Sequence, residues 1–68
     1  MAATATFSIN MYSAPTARAF SPCEIESRMD SEAGVKARVF KDSAYLTIQV
    51  PAAFSVDTAN WLSAEGLI

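Results

Sequence analysis

Apolar and polar residues alternate one for one near the start of the chain. Ala5, Phe7, Ile9 and Met11 share one parity and Thr6, Ser8, Asn10 and Tyr12 the other. That is the period of a half-buried strand, so a strand is expected over residues 4–12. Residues 13–19 hold Pro15 among small and polar side chains and read as a loop. The pattern then turns helical at Phe20-Ser21-Pro22-Cys23-Glu24-Ile25. Ser21 suits an N-cap, Pro22 the first helical position, and Glu24 completes a capping box. Phe20 and Ile25 stand where a hydrophobic staple places its pair. This helix is expected over residues 22–33, with Gly34 as its left-handed terminator. Its apolar stripe is thin, built on Ile25, Met29 and Ala33, while Glu24–Arg28 and Arg28–Glu32 form i,i+4 pairs on the wet side.

Alternation returns in residues 35–40 and 45–50, which predicts a hairpin. With Asp42 and Ser43 at its tip, Val39 faces Leu46, Ala37 faces Ile48 and Val35 faces Val50, all apolar pairs. The other face then sets Phe40 against Tyr45, Arg38 against Thr47 and Lys36 against Gln49. Pro51 ends the second strand because it cannot donate to a ladder. Ser55 is placed to cap a last helix over residues 56–65, with Asp57 near its positive end. Gly66 is the expected left-handed terminator, which would bring Leu67 back onto Leu62. The expected fold class is therefore α+β: one small β-α-β-β-α domain spanning residues 1–68. Its three-stranded sheet carries both helices on the face of Phe7, Ile9, Val39, Leu46 and Ile48.

Composition narrows the chemistry. The 68 residues contain no His, one Cys, and 12 charged side chains, 5 basic and 7 acidic. A chain this short buries only roughly 60–65% of its unfolded surface. Small domains commonly offset that with disulfides, a metal or association. A single Cys makes no internal disulfide and has no companions for a zinc site. Association is left as the expected compensation. The net charge of −2 argues against a strongly basic nucleic-acid binder. No apolar run approaches the ~20 residues that span a bilayer. The opening MAATATFS has the composition of a transit peptide, but the alternation that follows favours a strand. The lone thiol fits a reducing compartment, and a cytoplasmic location is expected.

Each chemistry-bearing group has a plainer structural role. Cys23 lies in the first turn of a helix, where the macrodipole favours thiolate, yet Glu24 and Glu26 oppose a second negative charge and there is no His base. An inert, partly buried thiol is expected, and no catalytic residue, metal ligand or cofactor site is assigned. Glu24, Glu26, Asp30 and Glu32 read as a solvated helix face. Trp61 reads as core. Lys36, Arg38 and Lys41 form a short basic stripe beside Phe40 and Tyr45, and basic residues interleaved with aromatics on a strand can hold single-stranded nucleic acid.

With both helices on one face, the other face carries Tyr12, Arg38, Phe40, Tyr45 and Thr47, with Lys36 at its margin. A mixed aromatic and cationic surface of that kind fits an interface. The expected function is a non-enzymatic protein–protein interaction module, self-associating, docked in an assembly, or inhibiting another protein. Its partner-binding residues are Tyr12, Lys36, Arg38, Phe40, Tyr45 and Thr47. The expected partner is another protein or a second copy of the chain, with no membrane. The alternative is a single-stranded nucleic-acid or regulatory binding domain on the hairpin face. In size and composition alone the chain is similar to phage-encoded inhibitors such as anti-CRISPR proteins, a similarity that rests on no motif.

Overall fold

The computed structural model describes residues 3–68, so Met1 and Ala2 of the opening segment lie outside it. Strand β1 (Thr4–Asn10) leads through a single helical turn, α1 (Thr16–Ala19), to α2 (Pro22–Arg28). Strands β2 (Arg38–Lys41) and β3 (Tyr45–Pro51) follow, and helix α3 (Ser55–Ala64) closes the order. The sheet is antiparallel with strand order β1-β3-β2, so β3 is central and β1 and β2 are its edges. This is the expected small α+β domain, with one addition: the segment expected to be a loop contains α1, whose Ala17 is fully buried.

The caps form much as the sequence implies. Ser21 holds an extended backbone and its Oγ accepts from the Glu24 N–H at 3.1 Å, satisfying one of the donors a helix start leaves free. Beyond Arg28 the helix widens into a π-helical turn, Met29–Ala33, before Gly34 ends it at φ 67°. At the other terminus Gly66 has φ 76°, and Leu67 donates to the Leu62 carbonyl at 2.9 Å, closing a Schellman motif over two buried leucines. The start of α3 differs from expectation. A 3₁₀ turn, Ala52–Phe54, feeds straight into the helix, so Ser55 is already helical at φ −62°, ψ −41° and is not the cap. An N-cap needs a non-helical backbone.

The hairpin keeps its expected faces but slips by two residues. The observed pairs are Arg38–Gln49, Val39–Ile48, Phe40–Thr47 and Lys41–Leu46. They replace Val39–Leu46, Ala37–Ile48, Phe40–Tyr45 and Arg38–Thr47. The cause is the Asp42 side chain. Its Oδ1 accepts from the Ala44 N–H at 2.8 Å and the Tyr45 N–H at 2.6 Å, making Ser43 and Ala44 the tip. Because side chains alternate with period two, a slip of two leaves every residue on its own face. Val35 and Lys36 precede the strand and pair with neither Val50 nor Gln49, because the shifted register gives Gln49 to Arg38; the Val35 N–H is engaged instead by the Met29 carbonyl at the helix end.

The core lies between the helices and the inner face of the sheet. Ile48, Leu46 and Val50 from β3 meet Ile25 and Met29 from α2 and its extension, with Trp61 and Leu62 from α3. Trp61 is 9% exposed and belongs to this core, with its Nε1–H donating to Glu32 Oε1 at 3.1 Å. Helix α2 packs over β2, and α3 over β3 and the π-helical turn. Phe7 and Ala5 on the β1 edge are covered only in part.

Candidate interaction surface

The outer face of the sheet has three rows set by the register. Ser8, Thr47 and Phe40 lie side by side, as do Thr6, Gln49 and Arg38, and Tyr45 stands beside Asn10. Among the described residues no helix covers them. Phe40 is 47% exposed and Tyr45 44%, large values for aromatics whose burial is worth roughly 2 kcal/mol each. The two are diagonal neighbours, not the facing pair expected, because Thr47 takes the place opposite Phe40. The Arg38 guanidinium lies 5.7 Å from the centre of the Phe40 ring, within the range where a ring face attracts a cation.

Of the expected partner-binding residues, Arg38, Phe40, Tyr45 and Thr47 therefore share this face. Lys36 is exposed just ahead of β2, and Tyr12 has left the sheet. Strand β1 ends at Asn10, whose Oδ1 takes the Tyr12 N–H and whose carbonyl takes those of Ser13 and Ala14. The chain turns there, and Tyr12 stacks against Arg18 at 5.3 Å. Lys41 also parts from the basic stripe. It lies on the core parity, and its Nζ donates to the carbonyls of Arg18 and Phe20, neutralising the end of the α1 turn.

Among the described residues, Lys36 and Arg38 have no ion-pair partner. They flank a shallow groove of about 270 Å³ at one end of the sheet, completed by Ala3, Thr4, Gln49, Val50 and Pro51. Several acids are engaged on the helix side or in the turn. Glu32 and Glu65 both meet Arg28, at 2.8 and 2.6 Å, whereas the expected Glu24–Arg28 pair does not form. Arg28 also lies 5.3 Å from Trp61, so it ties α2 to α3. The Arg28 side chain, followed by the Trp61 N–H, holds the Glu32 carboxyl below the usual carboxylate range. Glu26 is not on a purely solvated face, since its Oε2 accepts the Val39 N–H of the β2 edge at 2.9 Å. Sequence reasoning missed that contact because it requires knowing where α2 lies on the sheet.

Cys23 is exposed, where a partly buried thiol was expected. Among the described residues no three Cys, Asp or Glu side chains gather as metal ligands, and no helix is long and apolar enough to cross a membrane. Compared with protein-family models, curated proteins and solved structures, the chain matches none.

Proposed function

We propose that this chain is a non-enzymatic protein-interaction module that docks a partner on the outer face of its sheet. The carrying observation is the uncovered pair Phe40 and Tyr45 beside two cations, Lys36 and Arg38, with no acidic partner among the described residues. Aromatic rings at the centre of such a patch supply burial, and cations at its rim select a partner bearing carboxylates. Neither step calls on a nucleophile or a bound cofactor. Inhibition of another protein, or membership of an assembly, falls within this reading, and an exposed thiol suits the cytoplasm.

The test is capture from the native source with three baits: the wild type, Phe40→Ser with Tyr45→Ser, and Lys36→Glu with Arg38→Glu. A partner held by the wild type and lost from both variants, each still folded by circular dichroism, supports the reading. A partner retained by both sinks it. Titration with labelled single-stranded oligonucleotides separates the nucleic-acid alternative, because binding to phosphates weakens steeply with salt.

A further inference from the structure

The two edges of the sheet differ in what they leave unpaired. Met11 donates to the Ala44 carbonyl and Ala52 to the Ala3 carbonyl, so the odd residues of β1 form the ladder to β3. Thr4, Thr6 and Ser8 therefore turn their N–H and C=O groups outward, and among the described residues none of these groups has a partner. Among the described residues nothing guards the row. Strand β1 has seven residues, TATFSIN, with no charge and no Pro, which are the usual devices against edge pairing. Beside the row on the inner face, Ala5 and Phe7 are only partly buried.

The geometry points to a second copy of this chain as the occupant of the β1 edge, paired antiparallel about a two-fold axis at Thr6. In that register Thr6 faces the partner's Thr6, and Thr4 faces the partner's Ser8. Each such pair exchanges both of its N–H···O bonds, so every outward-facing group from Thr4 to Ser8 is satisfied. Phe7 then stands beside the partner's Ala5, a large side chain against a small one, and the half-covered patch closes on the inner face. Threonine opposite threonine and serine is a favourable cross-strand combination, and with no charge on the strand there is no like-charge repulsion across the axis. A register centred on Phe7 is worse. It needs the Asn10 carbonyl, which Ser13 and Ala14 already occupy, and it sets Phe7 against its own copy.

The other edge explains why assembly stops at two chains. Along β2 the outward N–H of Val39 is held by Glu26 and the Lys41 side chain folds back onto Arg18 and Phe20. Strand β2 is also short, four residues, and carries Arg38 and Lys41, so it is the blunted edge even though the Val39 C=O and the Lys41 backbone groups have no partner among the described residues. Pairing through β1 alone gives a closed dimer with a continuous six-stranded sheet, not a fibre. This interface lies on a different surface from the Phe40–Tyr45 patch.

The experiment is sedimentation of the wild type and of Thr6→Pro, Thr6→Lys and Thr6→Glu, up to about 1 mM, where any association tighter than millimolar is populated. The wild type should reach twice the 7.3 kDa chain mass. Thr6→Pro removes a donor at the axis without touching the ladder to β3, and should be monomeric with unchanged circular dichroism. Thr6→Lys and Thr6→Glu should each be monomeric alone, through like charges at the axis, and dimeric when mixed. Phe40→Ser with Tyr45→Ser should remain dimeric. A wild type that stays monomeric at 1 mM overturns the inference. So does a dimer that persists in folded Thr6→Pro, a lysine and glutamate mixture that stays monomeric, or a dimer lost in the Phe40 and Tyr45 variant.

Discussion

Along β2, the outward N–H of Val39 is capped by a carboxylate from α2, and the next core-facing side chain, Lys41, is tied to two carbonyls. Along β1, the outward backbone groups of Thr4, Thr6 and Ser8 have no partner among the described residues, on a strand nearly twice as long, seven residues against four. The contrast follows from where the helices lie. Helix α2 packs over β2 and brings Glu26 to its edge, whereas the principal neighbours of β1 are β3 and the turn Ala52–Phe54. An edge can be blunted by a side chain arriving from a neighbouring element, and among the described residues that happens on β2 and not on β1.

The sharpest way to break the contrast is the same substitution at an outward N–H on each edge. Val39→Pro removes the donor that Glu26 accepts and a side chain that is 6% exposed. It should cost on the order of 3 kcal/mol, from lost core contacts and an orphaned acceptor. Thr6→Pro should cost little, because its N–H is unpaired and Pro is tolerated at the open side of an edge strand. Urea unfolding of both proteins measures the difference, and equal losses would show that the two edges are alike.

Much of this contrast was hidden in the sequence for a definable reason. Parity along the strands fixes which residues share a face, so Phe40, Tyr45, Thr47 and Arg38 were assignable to one surface before the fold was known. Parity does not distinguish registers two residues apart, and the choice fell to one side chain, Asp42, reaching forward to Ala44 and Tyr45. Local signals were read well where their partners are close in sequence, as in the Ser21 cap and the Gly66 terminator. Glu26 and Val39 are 13 residues apart and Lys41 and Arg18 are 23 apart. Such contacts depend on packing, which spacing alone does not encode. Tyr12 was misplaced because a single Asn10 amide turns the chain off the sheet two residues early.

A gentler test leaves the core alone and opens the guarded edge. Glu26→Ala should cost about 1–2 kcal/mol, toward the low end for a hydrogen bond to a charged group because the contact is only partly buried. Glu26→Gln keeps an acceptor and should lose less. Light scattering at high concentration should show new association in the alanine variant, since the β2 edge has then lost the contact that holds its outward Val39 N–H. Equal behaviour of the two substitutions would mean the Val39 contact does not protect the strand. Smaller again is Ser21→Ala, which removes the cap of the helix that delivers Glu26 and should cost ~1 kcal/mol. A denaturation midpoint unmoved by it would mean the cap contributes nothing.

The finest distinction between the edges is their response to acid. Strand β1 contains no ionisable side chain, whereas the register of β2 is held by Asp42, whose carboxyl lies below its ordinary value of 3.8 because the Tyr45 and then the Ala44 N–H groups bond its charged form. A carboxyl with a depressed folded-state pKa contributes stability that is fully present above the unfolded value and is lost as pH falls through the folded one. The turn should therefore be unaffected at neutral pH and weaken as pH drops below the usual aspartate range. Glu32 titrates in the same direction through its bond to Arg28, so it is silenced with Glu32→Gln in the same background. Amide exchange, corrected for intrinsic rates, should then lose protection at Phe40 and Thr47 in acid while Phe7 and Ile9 hold theirs. Asp42→Asn retains the oxygen acceptor without the titration and should flatten that loss. If the two ladders lose protection together, or if the asparagine variant keeps the acid response, the Asp42 turn is not what sets the β2 register.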